Sequence, residues 1–166
     1  MLRRHALAVM AAVGFLGCHP ALGHEYKAGA LTIEHPWSRA TPPGAKVAAG
    51  YFVVSNSGTA PDRLVSATAE VSDKVEIHQS LMQEGVATMR PVPGGVEVPA
   101  GGSVAFKPDS FHLMMTRLKH PLKQKDHVPG ALVFEKAGRV AVEFAVEAAG
   151  STPDMSAMPG MSGMGN

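Results

Sequence analysis

Short apolar runs with a two-residue alternation dominate the chain, broken at regular intervals by glycine, proline, asparagine and aspartate. The pattern predicts strands over residues 30–34, 47–55, 63–68, 74–80, 86–92, 103–106, 111–116, 131–135 and 140–147. Between them lie Thr41-Pro42-Pro43-Gly44, Asn56-Ser57-Gly58, Pro93-Gly94-Gly95 and Ala100-Gly101-Gly102, all turn chemistry. No long stretch carries a 3.6-residue period, and no internal repeat or second domain stands out. Short, evenly punctuated strands predict an all-β fold, an antiparallel sandwich or Greek-key barrel.

The ends read differently from the middle. Residues 1–23 have the layout of a secretory signal: Arg3 and Arg4, then the apolar run 6–17, which is too short to span a bilayer. Ala21-Leu22-Gly23 puts small residues before a cut, so the mature chain is expected to begin at His24. A second possibility is a lipoprotein cut before Cys18, in Phe15-Leu16-Gly17-Cys18, a box that Phe15 fits poorly. Residues 24–149 form the expected domain. The tail 150–166 has no periodic apolar face and is expected to stay disordered without a ligand.

Composition narrows the chemistry. With 166 residues, 45% hydrophobic and 17% charged, there is material for one compact core. A net charge of +1 with scattered Lys and Arg argues against nucleic acid or an anionic membrane as partner. Cys18 is the single cysteine, and the cut after Gly23 removes it. The mature chain would then lack a disulfide, a thiol nucleophile and the thiolate that a blue-copper site needs. Such a chain suits an oxidising, periplasmic compartment. What remains unusual is the ten Met and eight His.

Some of these fall into one constellation. In Phe111-His112-Leu113-Met114-Met115, alternation puts Phe111, Leu113 and Met115 on one face and His112 with Met114 on the other. In 74–80, Val75 and Ile77 face inward, so His78 faces outward with Glu76 and Ser80. Met89 lies on the next strand. A four-residue loop from Met82 to Gly85 pairs Leu81 with Val86 and sets His78 directly opposite Met89. A three-residue loop sends the two to opposite faces. Two imidazoles and two thioethers select soft Cu(I), since zinc prefers thiolate, imidazole or carboxylate, and calcium and magnesium want oxygen.

His78, ten residues, Met89, then His112-Leu113-Met114 resembles the signature of the PCu(A)C family of periplasmic copper chaperones, with a second gap of 22 residues, one longer than usual. The extra residue is assigned to the Pro93-Gly94-Gly95 turn. His35-Pro36-Trp37-Ser38-Arg39-Ala40-Thr41-Pro42-Pro43-Gly44 and Pro99-Ala100-Gly101-Gly102 also resemble the family, over about Tyr26 to Glu147. The resemblance implies a cupredoxin-like, immunoglobulin-like sandwich. It implies a non-enzymatic monomer that binds Cu(I) through His78, Met89, His112 and Met114. It further implies delivery to the Cu(A) centre of cytochrome c oxidase subunit II, beside a Sco-type protein.

Other residues carry weaker expectations. Met155, Met158, Met161 and Met164 recur every third residue and form a candidate auxiliary copper collector. His24, if N-terminal, could chelate Cu(II) through its amino group and imidazole. Met115 reads as core, Met82 as loop and His35 as structural. His120 and His127 belong to a solvated lysine-rich connection around 119–125. Two other functions stay open: a copper-buffering or resistance protein with the same site, and a copper oxidoreductase built on His24.

Overall fold

The computed structural model describes residues 25–83 and 85–152. It contains eleven strands: β1 (Glu25–Ala28), β2 (Leu31–Arg39), β3 (Val47–Asn56), β4 (Asp62–Ala69), β5 (Ser72–Gln83), β6 (Val86–Pro91), β7 (Val96–Val98), β8 (Ser103–Phe106), β9 (Phe111–Leu118), β10 (His127–Phe134) and β11 (Gly138–Glu147). Each of the nine expected strands is present. β1 and β7 are additional, and both are very short.

The ladder runs β6-β5-β9-β8-β3-β2-β11-β10-β4-β7, with β1 added on β2 and β9 also paired to β3. Nearly all pairings are antiparallel, while β11 with β2 and β8 with β9 run parallel. The sheet curls over so that its inner faces enclose one core. Alternation explains who faces inward. Phe52 and Val54 of β3, Ile77 of β5, Leu113 and Met115 of β9, Leu132 and Phe134 of β10, and Val142 and Phe144 of β11 are all buried there. Phe52 stacks on Phe106 with centroids 4.3 Å apart. The fold is the expected all-β sandwich.

A bulge redirects β2. The register shifts between Glu34 and Trp37, and His35 takes a positive φ of 46°. Past it, Trp37 sits opposite Tyr51 on the outer face, with ring centroids 4.8 Å apart. The Arg39 guanidinium lies 5.8 Å and 5.9 Å from the two rings, closing a small cation–π sheath over that face. His35 Nε2 meets Glu147 Oε1 at 2.8 Å, which fits the structural role expected for it.

Two expectations are corrected here. Met82 belongs to β5, not to a loop, because β5 runs to Gln83 before the chain turns. His127 opens β10, paired with Ala145, and its Nδ1 lies 2.8 Å from Glu143 Oε1. Backbone pairing to β11 claims it for the sheet.

Candidate metal centre

The site is built on β5, β6 and β9. β5 lies between the other two, and its pairing with β9 sets Ile77 opposite Leu113 and Val75 opposite Met115, all turned to the core. The alternate positions must then share the other face. His78 stands directly opposite His112, and Glu76 opposite Met114. The imidazole centroids are 6.0 Å apart and tilted by 59°.

The hairpin register differs from the expected one. Gln83 pairs with Val86, so Met89 sits opposite Ser80, and His78 opposite Pro91. The connection is shorter by two residues than the four-residue loop, with Gly85 at φ +81° taking the left-handed turn position. A shift of two residues preserves the face, so Met89 still shares the side of His78 and His112. It is a diagonal neighbour of His78, at a typical Cβ separation of about 7 Å that a long thioether can bridge. Met89 is solvent-exposed and Met114 half-buried. Met114, opposite Glu76, and Met89, opposite Ser80, thus each lie one pair from the His78–His112 rung, on opposite sides of it.

The imidazoles are what set this face apart. His112 is 2% exposed although it points away from the core. Its Nδ1 lies 3.2 Å from the Ser110 carbonyl, which can only accept, so Nδ1 carries the proton and Nε2 presents a bare lone pair. That Nε2 and His78 Nδ1 are buried with no hydrogen-bond partner. Buried polar atoms are normally satisfied, and two orphaned nitrogens on facing rings fit an ion that both would ligate. Burial, aided by neighbouring His78 and opposed by the Ser110 hydrogen bond, holds the His112 pKa below the ordinary imidazole value. Its neutral, ligating form is favoured. Among the described residues no three His, Cys, Asp or Glu side chains gather into a metal site, so the two imidazoles have thioethers rather than carboxylates to complete a set.

Sequence reasoning missed the supports. Ser80 donates its hydroxyl to the Pro108 carbonyl at 3.0 Å, and its N–H to the Ser110 carbonyl at 2.9 Å. These bonds tie the 107–110 turn onto β5, and the same turn supplies the carbonyl that orients His112. No sequence signal marks Ser110, since it acts through its backbone. Glu76 is engaged by Lys74 at 2.9 Å. The Pro93–Gly95 segment closes as a turn, Gly95 N–H to Val92 carbonyl at 3.1 Å, outside the strands that carry the four candidate ligands. His24, Met155, Met158, Met161 and Met164 lie outside the described residues.

Facing imidazoles with thioethers on the same side thus lie on the outer layer of the sandwich, and the fold is similar to that of known copper-binding domains. Over 75% of this chain and 98% of the other, the fold matches the copper-bound PCuAC domain from PmoF2, with 31% identity and a TM-score of 0.64. The Cu(I) form of DR1885 from Deinococcus radiodurans matches at 26% identity and a TM-score of 0.56, over 68% of this chain and 75% of the other. "Putative lipoprotein Lxx21020" from Leifsonia xyli subsp. xyli is 25% identical over 121 residues, 73% of this chain and 72% of its own length. The chain belongs to the PCuAC family, and residues 31–146 match the model of the LpqE-like lipoprotein family.

Proposed function

We propose that the protein is a non-catalytic Cu(I) carrier of the cell envelope, holding the ion with His78, His112, Met114 and Met89. The observation that carries this reading is the pair of orphaned, buried nitrogens on facing rings, His78 Nδ1 and His112 Nε2. Copper-bound relatives support it. All four donors are neutral, so the site keeps only the single charge of Cu(I), and an acceptor can replace the donors one at a time. The exposed thioether of Met89 is where such exchange can begin. The destination is the Cu(A) centre of cytochrome c oxidase subunit II, a reading that rests on the family resemblance.

An anaerobic Cu(I) competition titration of the wild-type protein and the His112→Ala/Met114→Ala double variant tests the site. Tight binding should vanish in the variant; tight binding retained would remove the assignment. Transfer from the loaded protein to an apo Cu(A) domain tests the destination, and a carrier that keeps its copper there is a buffer instead.

The lipoprotein names of the relatives favour the cut before Cys18 over the one after Gly23. Among the described residues no helix is long and apolar enough to cross a membrane. A lipid on Cys18 would tether the carrier to the membrane surface and leave His24 inside the chain, without the free amino group of a terminal copper chelate. The mass of the mature protein decides between the two cuts.

A further inference from the structure

Among the described residues, the three most exposed large apolar side chains, Met82 at 74%, Val86 at 62% and Met89 at 59%, all lie on the β5–β6 hairpin. Val86 pairs with Gln83 and belongs to the other face. Met82 pairs with Ala87 and shares the face of Ser80 and His78. Along β5 the order on this face is Met82, Ser80, His78, and Met89 stands across from the middle one. It is therefore a diagonal neighbour of both Met82 and His78, each at a typical Cβ distance of about 7 Å. Exposure falls along the same line, from 74% at Met82 and 59% at Met89 to 2% at His112.

Packing does not account for a thioether at the tip. Met82 fills no gap in the core, and an exposed long apolar side chain gains little from burial. Soft sulfur at the solvent end of a row that terminates in orphaned imidazoles has a chemical use. We propose that Met82 and Met89 form an outer landing site for Cu(I), from which the ion passes to the His78, His112 and Met114 face. This rests on reading that face as the copper site. Transfer is ligand exchange: the Met82 sulfur leaves as an imidazole nitrogen binds, Met89 stays attached as the pivot, and the ion remains Cu(I) with no electron moved. Two exposed thioethers form a weak site, so Met82 sets the rate of loading and unloading while the inner donors set the affinity.

Met82→Leu keeps size and apolarity at an exposed position and removes the sulfur. Equilibrium Cu(I) affinity by competition should stay within about twofold of wild type, while the stopped-flow loading rate from a Cu(I)–acetonitrile complex should fall about tenfold, as expected when a local reservoir of ligand-held ion is lost. Loading at the wild-type rate would overturn the landing site. A direct readout uses the His78→Ala/His112→Ala variant with isotope-labelled methionine methyls. The Met82 and Met89 resonances should still shift together on adding Cu(I), and the Met89 shift should shrink when Met82→Leu is added; no shift at Met82 overturns the proposal. The two readings fail separately. Intact tight binding in the His112→Ala/Met114→Ala variant sinks the inner site, whereas an unaltered Met82→Leu loading rate sinks only the outer one.

Discussion

Two buried polar sites in this sandwich are finished in opposite ways. At the start of β4, the Asp62 carboxylate accepts N–H bonds from Arg63, Lys136 and Ala137 at 2.7, 2.9 and 2.9 Å. Burial pushes its pKa up, but those donors from Lys136, Arg63 and Ala137 outweigh burial and hold it below the usual carboxylate value. On the outer face of β5 and β9, His78 Nδ1 and His112 Nε2 have no partner at all. The saturated carboxylate locks a corner of the fold. The unsaturated imidazoles leave two nitrogens without a hydrogen bond, held in place by the surrounding strands. Hydrogen-bond completeness, rather than burial, distinguishes the two sites.

The contrast can be broken by substitution. His112→Ala should cost at least about a hundredfold in Cu(I) affinity, since even groups that merely support a metal ligand are worth about 10–100-fold. In the copper-free protein it should cost about 1 kcal/mol of unfolding free energy, read in urea, through the lost Nδ1 bond to the Ser110 carbonyl, with nothing lost at Nε2; a much larger drop would make His112 chiefly structural. Asp62→Ala should do the reverse. Leaving buried donors unpaired removes about 2 kcal/mol of unfolding free energy, measured in urea, with copper affinity unchanged. An altered copper titration in that variant would mean the two sites are coupled.

The thioethers should rank. Met89→Leu is expected to weaken Cu(I) about tenfold, or about 1.4 kcal/mol, and Met114→Leu by more, because Met114 is half-buried on the same strand as His112 while Met89 is exposed on the edge strand. Competition titrations of the two single variants settle the order, and equal losses would mean the hairpin bends to bring Met89 fully in.

The smallest effect concerns acid. His112 has a lowered pKa in the folded state, so below about 6.5 the unfolded chain takes up a proton that the fold resists. Stability of the copper-free protein should therefore decline as pH falls from about 6.5 toward that lowered value, and should not change from this source above 6.5. Asp62 acts in the same direction further down. Its contribution is complete above the ordinary carboxylate pKa and is lost as pH drops through its lowered one. Comparing urea midpoints at pH 7.5 and 5.5 should show a shallower acid loss in His112→Ala than in wild type. Identical slopes would discard the role given to His112.

How far the sequence speaks depends on the length scale of each signal. Alternation within Phe111–Met115 placed Leu113 and Met115 inside and His112 with Met114 outside, because a two-residue period is local and strict. The register of the hairpin was harder to read. Gln83-Glu84-Gly85-Val86 allows several turn lengths, and only the pairing of Gln83 with Val86 selects the shortest, moving Met89 from His78 to Ser80. β7 escaped notice because Val96–Val98 is three residues held between turns, and it forms by pairing with β4. Gly95 enters that turn at φ +71° against the Leu64 carbonyl, a closeness that depends on a strand distant in sequence. The carbonyl that orients His112 comes from a turn tied to Ser80, and no periodicity encodes a backbone carbonyl at Ser110.

β6 ends the ladder, so one side of its backbone has no neighbouring strand among the described residues. Bare margins of this kind invite stacking of copies into fibrils, and short length, a cation and a proline are common deterrents. β6 has all three: six residues, closing with Arg90 and Pro91. The exposed thioethers of Met82 and Met89 stand on this guarded strip and its partner strand, so the greasy end of the hairpin is screened from templating a second copy.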